Sequence, residues 1–413
     1  MGWSRSLAIV AVLAAAPAGA QPAQKVTGPV ATYWMSAQTQ SGFAMPGGGG
    51  QPDRGAMMRM MMGGGGGAQH LLTLQLGSTQ KPQGAPEAAH LPPGGLGVGP
   101  SLPLLTPRAA PPEREEPGLP RDFQRPKGRM LIFWGCGEHA GPNQPVVIDF
   151  ASLTAGQVPP GLAAMGRGFG VGMQPPSAGR STTYGEWPNA QARTSVPSEG
   201  SLVGQHSVRG DYSPDIQFSL TPNQDFLAPL GLSTNDRTGS GAVQLGWNAV
   251  PAATGYFASV MGGGQDQVVL WTSSATQGTA FATDYLPPAE AARLVAAKTL
   301  LSPQTTSCTV PKEVADAAPH AIVQLVAYGP EANFVYPPRP SDPKVAWNKE
   351  WQVKVRYRSA TGGMLGMEMP GMAGDDRSGR GQPQRGQPQQ QEQQRGGFMR
   401  GLGGAMGVPI PGF

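Results

Sequence analysis

Short stretches of the chain alternate apolar and polar residues, and each predicts a half-buried strand. Leu72, Leu74 and Leu76 alternate with Thr73 and Gln75, and Trp351, Val353, Val355 and Tyr357 alternate with Gln352, Lys354 and Arg356. Residues 243–247 follow the same period. Residues 30–38 are rich in β-branched and aromatic residues, 130–134 is a continuous apolar run and 146–150 (Val-Val-Ile-Asp-Phe) is largely apolar and β-branched, so all three read as strands. Stretches at 202–209, 216–220, 256–261, 268–272 and 322–327 complete the set. One helix is expected over 288–301. Pro288 suits its first turn, Glu290 its positive start and Lys298 its end, and Leu294, Ala297 and Leu301 fall on one face.

Blocks dense in Gly and Pro interrupt these elements. The two residue types total 61 and 44 of 413, close to the range where disorder is expected, but they are clustered. Residues 44–68 hold two glycine runs around Met57, Met58, Met60, Met61 and Met62, which reads as a floppy insertion between two paired strands. Residues 81–128 combine Pro, Gly and a mixed-charge knot at 113–116, which is linker chemistry. Residues 155–180 are again Gly- and Pro-rich, and 222–241 reads as a boundary. From 361 onward Met, Gly, Arg-Gly and Gln repeats lack the apolar content to offset ordering entropy. The expected fold is therefore mainly β. It has two β-sandwich-like modules, at 21–230 and 240–360, one short helix at about 288–301, flexible insertions at 44–68 and 81–128, and a disordered tail at 361–413.

Residues 245–256, Leu-Gly-Trp-Asn-Ala-Val-Pro-Ala-Ala-Thr-Gly-Tyr, resemble the B-to-C strand region of fibronectin type III-like domains. The resemblance implies that Trp247 packs in a core and that the Ala-Thr-Gly-Tyr turn leads into the next strand. The helix at 288–301 and the connection at 302–320 depart from that pattern. Such domains mostly support binding or spacing, and fold alone does not give function.

The first twenty residues change the compartment. Arg5 precedes an apolar run at 7–16, and Ala18-Gly19-Ala20 offers a small-x-small cleavage site, the pattern of a secretory signal peptide cut near Ala20. The run is about half the length a spanning helix needs, and no later stretch is long and apolar enough, so no transmembrane span is expected in the mature chain. The protein is expected to be periplasmic or secreted. A formal charge of +4 with 14% charged residues demands no nucleic-acid partner, and none is expected. Cys136 and Cys308 are the two cysteines, and in an oxidising compartment they form either a disulfide or two separate thiols.

Candidate chemistry is sparse. Met364, Met367, Met369 and Met372 follow an M-x-x-M-x-M-x-x-M spacing, and thioethers are soft ligands suited to Cu(I); the bland reading is flexible filler. Cys136, Glu138 and His139 place three ligand types on one turn, but no second Cys/His pair completes a zinc set. The glycines at 166–172 neither leave a strand nor enter a helix, so they form no phosphate cradle. No nucleophile elbow, Walker loop or zincin motif is present, and the chain is not expected to be an enzyme. The expected role is an exported, non-enzymatic structural or protein-interaction protein of the bacterial cell envelope with an unidentified envelope protein partner. The alternative is a Met-rich periplasmic copper-binding protein.

Overall fold

The computed structural model describes residues 24–42, 67–107, 128–150, 174–192, 194–264, 266–277 and 285–367. The expected signal peptide, the Met57–Met62 cluster and residues 368–413 lie outside them. In chain order the strands are β1 (Val26–Thr27), β2 (Ala31–Gln40), β3 (Gln69–Ser78), β4 (Ala88–Leu91), β5 (Leu102–Pro103), β6 (Arg129–Trp134), β7 (Val146–Asp149), β8 (Thr183–Trp187) and β9 (Gly204–Gly210). They continue with β10 (Ser213–Leu220), β11 (Leu232–Arg237), β12 (Val243–Trp247), β13 (Gly255–Gly264), β14 (Gln267–Thr272), β15 (Ser307–Val310), β16 (Ile322–Tyr336), β17 (Trp347–Asn348) and β18 (Trp351–Met364). Two helices accompany them, α1 (Pro288–Ala296) and α2 (Lys312–Ala317). The fold is mainly β, and none of the described helices is long and apolar enough to cross a membrane.

Nine strands form one sheet in the order β7-β6-β14-β13-β16-β18-β2-β3-β8. The alternation in β3 and β18 sends Leu72, Leu74, Leu76, Val353, Val355 and Tyr357 to one face. Two smaller sheets cover that face. The four-stranded sheet β10-β9-β4-β5 packs through Phe218, whose ring centroid lies 6.4 Å from that of Tyr33 and 5.2 Å from that of Phe334. The three-stranded sheet β11-β12-β15 packs through Val243, Leu245, Trp247 and Val310. One continuous apolar cluster joins all three sheets, and burial of this kind contributes roughly 25 cal/mol per Å² of apolar surface removed from water. On the opposite face α1 lays Ala291 and Leu294 against Phe257, Val326 and Tyr328.

Several expectations need correction. The proposed modules 21–230 and 240–360 share the nine-stranded sheet: β2 pairs in parallel with β18 from Ala31↔Trp351 to Gln40↔Ala360, and β6 pairs in parallel with β14. Parallel pairing needs no tight turn and leaves no local sequence signal. The insertion at 81–128 is not a linker along its first part, where β4 and β5 form and His90, Leu96, Leu102 and Leu104 are buried. Its prolines and glycines lie around a 3-10 turn at Gly94–Leu96 that folds the segment onto the core. Residues 361–364 belong to β18 rather than a tail, and pair with 322–325. Residues 232–237 are β11, not a boundary, and the 302–320 connection holds β15 and α2. The helix stops at Ala296 because Lys298 turns to φ 56°, after which Leu301 bridges Tyr256. By contrast, β2 and β3 pair antiparallel over ten positions on either side of the 44–68 insertion, the greater part of which (residues 44–66) is outside the described residues.

Close backbone approach fixes the β8 end of the sheet. Residue Leu105 exchanges two backbone hydrogen bonds with Glu186, covering the edge. A Cβ on Gly185 would lie 2.5 Å from the Tyr212 hydroxyl and 2.7 Å from the Leu104 carbonyl oxygen. Gly185→Ala is expected to cost about 2 kcal/mol, because backbone rather than a flexible side chain must move. Denaturant unfolding checks this, and an unchanged midpoint would contradict the packing.

Candidate functional site

Cys136 and Cys308 are joined by a disulfide with a Cα–Cα distance of 5.3 Å. Their neighbours on the same turn part ways. The His139 Nδ1 lies 3.0 Å from Glu313 Oε1, while Glu138 Oε2 accepts hydrogen bonds from the hydroxyls of Thr238 and Ser240. The three side chains therefore address three different partners, and no metal-binding group of His, Cys, Asp and Glu gathers among the described residues. Met364 ends β18 and Met367 is exposed on the following turn; their backbone carbonyls both accept from Asn235 Nδ2, at 2.6 and 3.1 Å. Met369 and Met372 lie outside the described residues.

The core contains a polar relay that the sequence did not single out. Tyr33 on β2, His90 on β4 and His206 on β9 are fully buried. The Leu202 carbonyl can only accept, so His206 Nε2 carries the proton in that 2.7 Å bond. His206 Nδ1 must then accept from His90 Nε2 at 3.1 Å, and His90 Nδ1 accepts from the Tyr33 hydroxyl at 3.0 Å. Three hydrogen bonds are satisfied with both rings neutral. Burial pushes the Tyr33 hydroxyl well above its usual range. Burial holds His90 well below the usual imidazole range, with His206 adding to the effect, and burial lowers His206 against the opposing Leu202 bond. The relay joins two layers and is sealed from solvent.

The outer face of β18 carries Lys354, Arg356 and Arg358 in a row. Arg356 Nε donates to Ser36 Oγ and Arg358 Nε to Gln38 Oε1, both at 2.7 Å. The Arg356 guanidinium lies between Trp34 and Tyr285, 4.9 and 4.2 Å from their ring centroids. Lys354 Nζ meets Glu331 Oε2 at 2.5 Å, with side chains only 13% and 8% exposed. Glu331→Gln is expected to cost about 2 kcal/mol, since a nearly buried ammonium loses its charged acceptor. A change below about 0.5 kcal/mol in urea unfolding would mean the pair behaves as an exposed one.

One end of the sheet is different in kind. β1 and β17 pair in parallel, with Val26 opposite Trp347. The Trp347 indole donates to the Pro337 carbonyl at 2.9 Å, and its ring lies 5.6 Å from the Arg339 guanidinium and 5.4 Å from Lys349 Nζ. Gln24 ties the ends together, accepting from Arg339 Nε at 2.8 Å and donating to the Val345 carbonyl at 2.9 Å. Tyr336 stacks on Trp351 at 5.7 Å. Six large apolar side chains are exposed among the described residues, and three of them, Val26 (47%), Tyr336 (47%) and Val345 (50%), belong to this end. Lys25, Lys344 and Arg339 are exposed beside them. Exposed apolar groups gathered in one place and rimmed by charge mark a contact surface.

No family model, curated protein or solved structure matches the chain. The geometry alone carries the functional argument. Sequence reasoning passed over this end because its strands are two residues long. The available signal was compositional: one Trp within ten residues of Arg339, Lys344 and Lys349, next to a Pro-rich turn.

Proposed function

We propose that the chain is an exported, non-enzymatic contact protein of the bacterial cell envelope, periplasmic or secreted after cleavage near Ala20, and that it works through the Trp347 end of its sheet. The observation that carries this reading is the convergence of Val26, Tyr336 and Val345 with a ring-bound cation pair on one exposed end. The His90–His206 pair is sealed in the core, and we read it as structural. Strand order over residues 232–364 supports the fibronectin type III-like resemblance read at residues 245–256. Leaving β17 aside, the first, second and fifth strands of that stretch form the small sheet, while the third, fourth, sixth and seventh run together in the large one. That is the division of an immunoglobulin-like sandwich with its fourth strand moved across.

The test is a photo-reactive amino acid at position 345 in cells, compared with one at exposed position 147 on the far edge strand β7. Adducts enriched at 345 support contact through this end. Equal or absent adducts at the two positions would overturn it.

A further inference from the structure

We propose that the Trp347 end docks on a lipid bilayer surface with anionic headgroups; this rests on the contact reading above and names its partner. Trp and Tyr prefer the boundary between headgroups and acyl chains, where an apolar ring and a polar handle are both satisfied. Trp347 meets that description, with its indole N–H held by Pro337 and its ring left between two cations. Val26 and Val345 supply aliphatic side chains of the size that enters the headgroup boundary, and Tyr336 adds a second aromatic ring.

The charge is complementary to such a surface. Lys25, Arg339, Lys344 and Lys349 stand against Asp342 and Glu350, a local balance of four cations to two anions. Asp342, exposed like its neighbours, accepts the backbone N–H of Lys344 through Oδ1 at 2.9 Å. Lys and Arg keep their charged ends at headgroup level while their stems lie along apolar surface. Arg339 and Lys349 are already held over the Trp347 ring, so rings and cations meet the interface together. A protein partner would be expected to meet a shaped apolar pocket with flanking hydrogen bonds. Here the backbone groups of the ribbon are used internally: Trp347 N–H donates to Lys25 O, Lys349 N–H to Thr27 O, and Glu350 N–H to Tyr336 O.

The experiment is sedimentation of the full chain, purified after export, with vesicles of phosphatidylglycerol and phosphatidylcholine in equal parts, and with phosphatidylcholine alone. Binding to the anionic vesicles is expected, with at least a tenfold loss between 0.05 and 0.5 M salt, as screening shortens the reach of each cation. Lys25→Glu with Lys344→Glu should weaken binding at least about tenfold, since each cation near an anionic surface contributes about 1 kcal/mol. Val345→Asp, an exposed position that leaves the Trp347 hydrogen bond intact, should also weaken it. An equal charge change at the opposite end of the sheet and on α1's exit, Arg129→Glu with Lys298→Glu, should weaken it less than threefold. No binding, or equal loss in both double variants, overturns the proposal. A protein adduct at position 345 without vesicle binding overturns the lipid partner and leaves the contact reading standing. Failure of both assays removes both.

Discussion

Replacing both Cys136 and Cys308 with alanine is expected to lower the unfolding free energy by about 5 kcal/mol, the value chain entropy assigns to a loop of this length. The bridge spans 172 residues. It also joins two layers. Cys136 follows β6 of the nine-stranded sheet, while Cys308 lies in β15 of the small sheet, opposite Leu245 of β12. Beside it, the Gly137 N–H donates to the Thr309 carbonyl at 2.9 Å, so the backbone is also positioned around the bridge by a hydrogen bond that the substitution leaves in place. The effect therefore falls mainly on the unfolded ensemble, which gains freedom over nearly half the chain. Guanidinium unfolding of the double variant against the oxidised protein measures it. A difference under about 1 kcal/mol would mean that the unfolded chain holds this loop closed without the bond.

Acid is expected to weaken the fold earlier than carboxylate titration alone would. His90 and His206 are neutral in the relay, and burial lowers both below the imidazole value of the unfolded chain, about 6.5. The sign follows. A histidine lowered in the folded state contributes full stability above about pH 6.5, and that contribution is lost as pH falls toward the folded value, because the unfolded chain binds the proton first. Each histidine gives a slope of up to about 1.4 kcal/mol per pH unit, so two give up to about 2.7 kcal/mol between pH 7.5 and 5.5. Protonation would also break geometry, since His206 Nδ1 would face the His90 Nε2–H donor-to-donor. Urea unfolding at pH 7.5 and 5.5 should show the loss in the intact protein and less of it in His206→Phe, which keeps the stack on Phe218. An equal pH dependence in both proteins would sink the argument.

Strands with strong local pattern were legible in the sequence. β12 has the expected bounds, and β3 and β18 follow the alternation read from Leu72 and Trp351 onward. What was hidden was long-range. Tyr33 and His90 are 57 residues apart, and His90 and His206 are 116 apart, so nothing local marks the relay. β4 and β5 were masked because their Pro- and Gly-rich surroundings have linker composition although the intervening Leu96, Leu102 and Leu104 are core residues. The Trp347 end was hidden for a third reason. Two-residue strands cannot show periodicity, and exposed apolar residues become informative only once their neighbours in space are known.

The parallel pairing of β2 with β18 sets the order in which the molecule can be completed. The chain is synthesised from its amino end, so the β2–β3 hairpin emerges early, yet one edge of β2 finds its partner only when residues 351–360 exist. Until then a ten-residue strand presents an unpaired row of backbone donors and acceptors, the kind of edge that recruits other chains. A product truncated before Trp351 keeps that edge permanently, however well its earlier strands are formed.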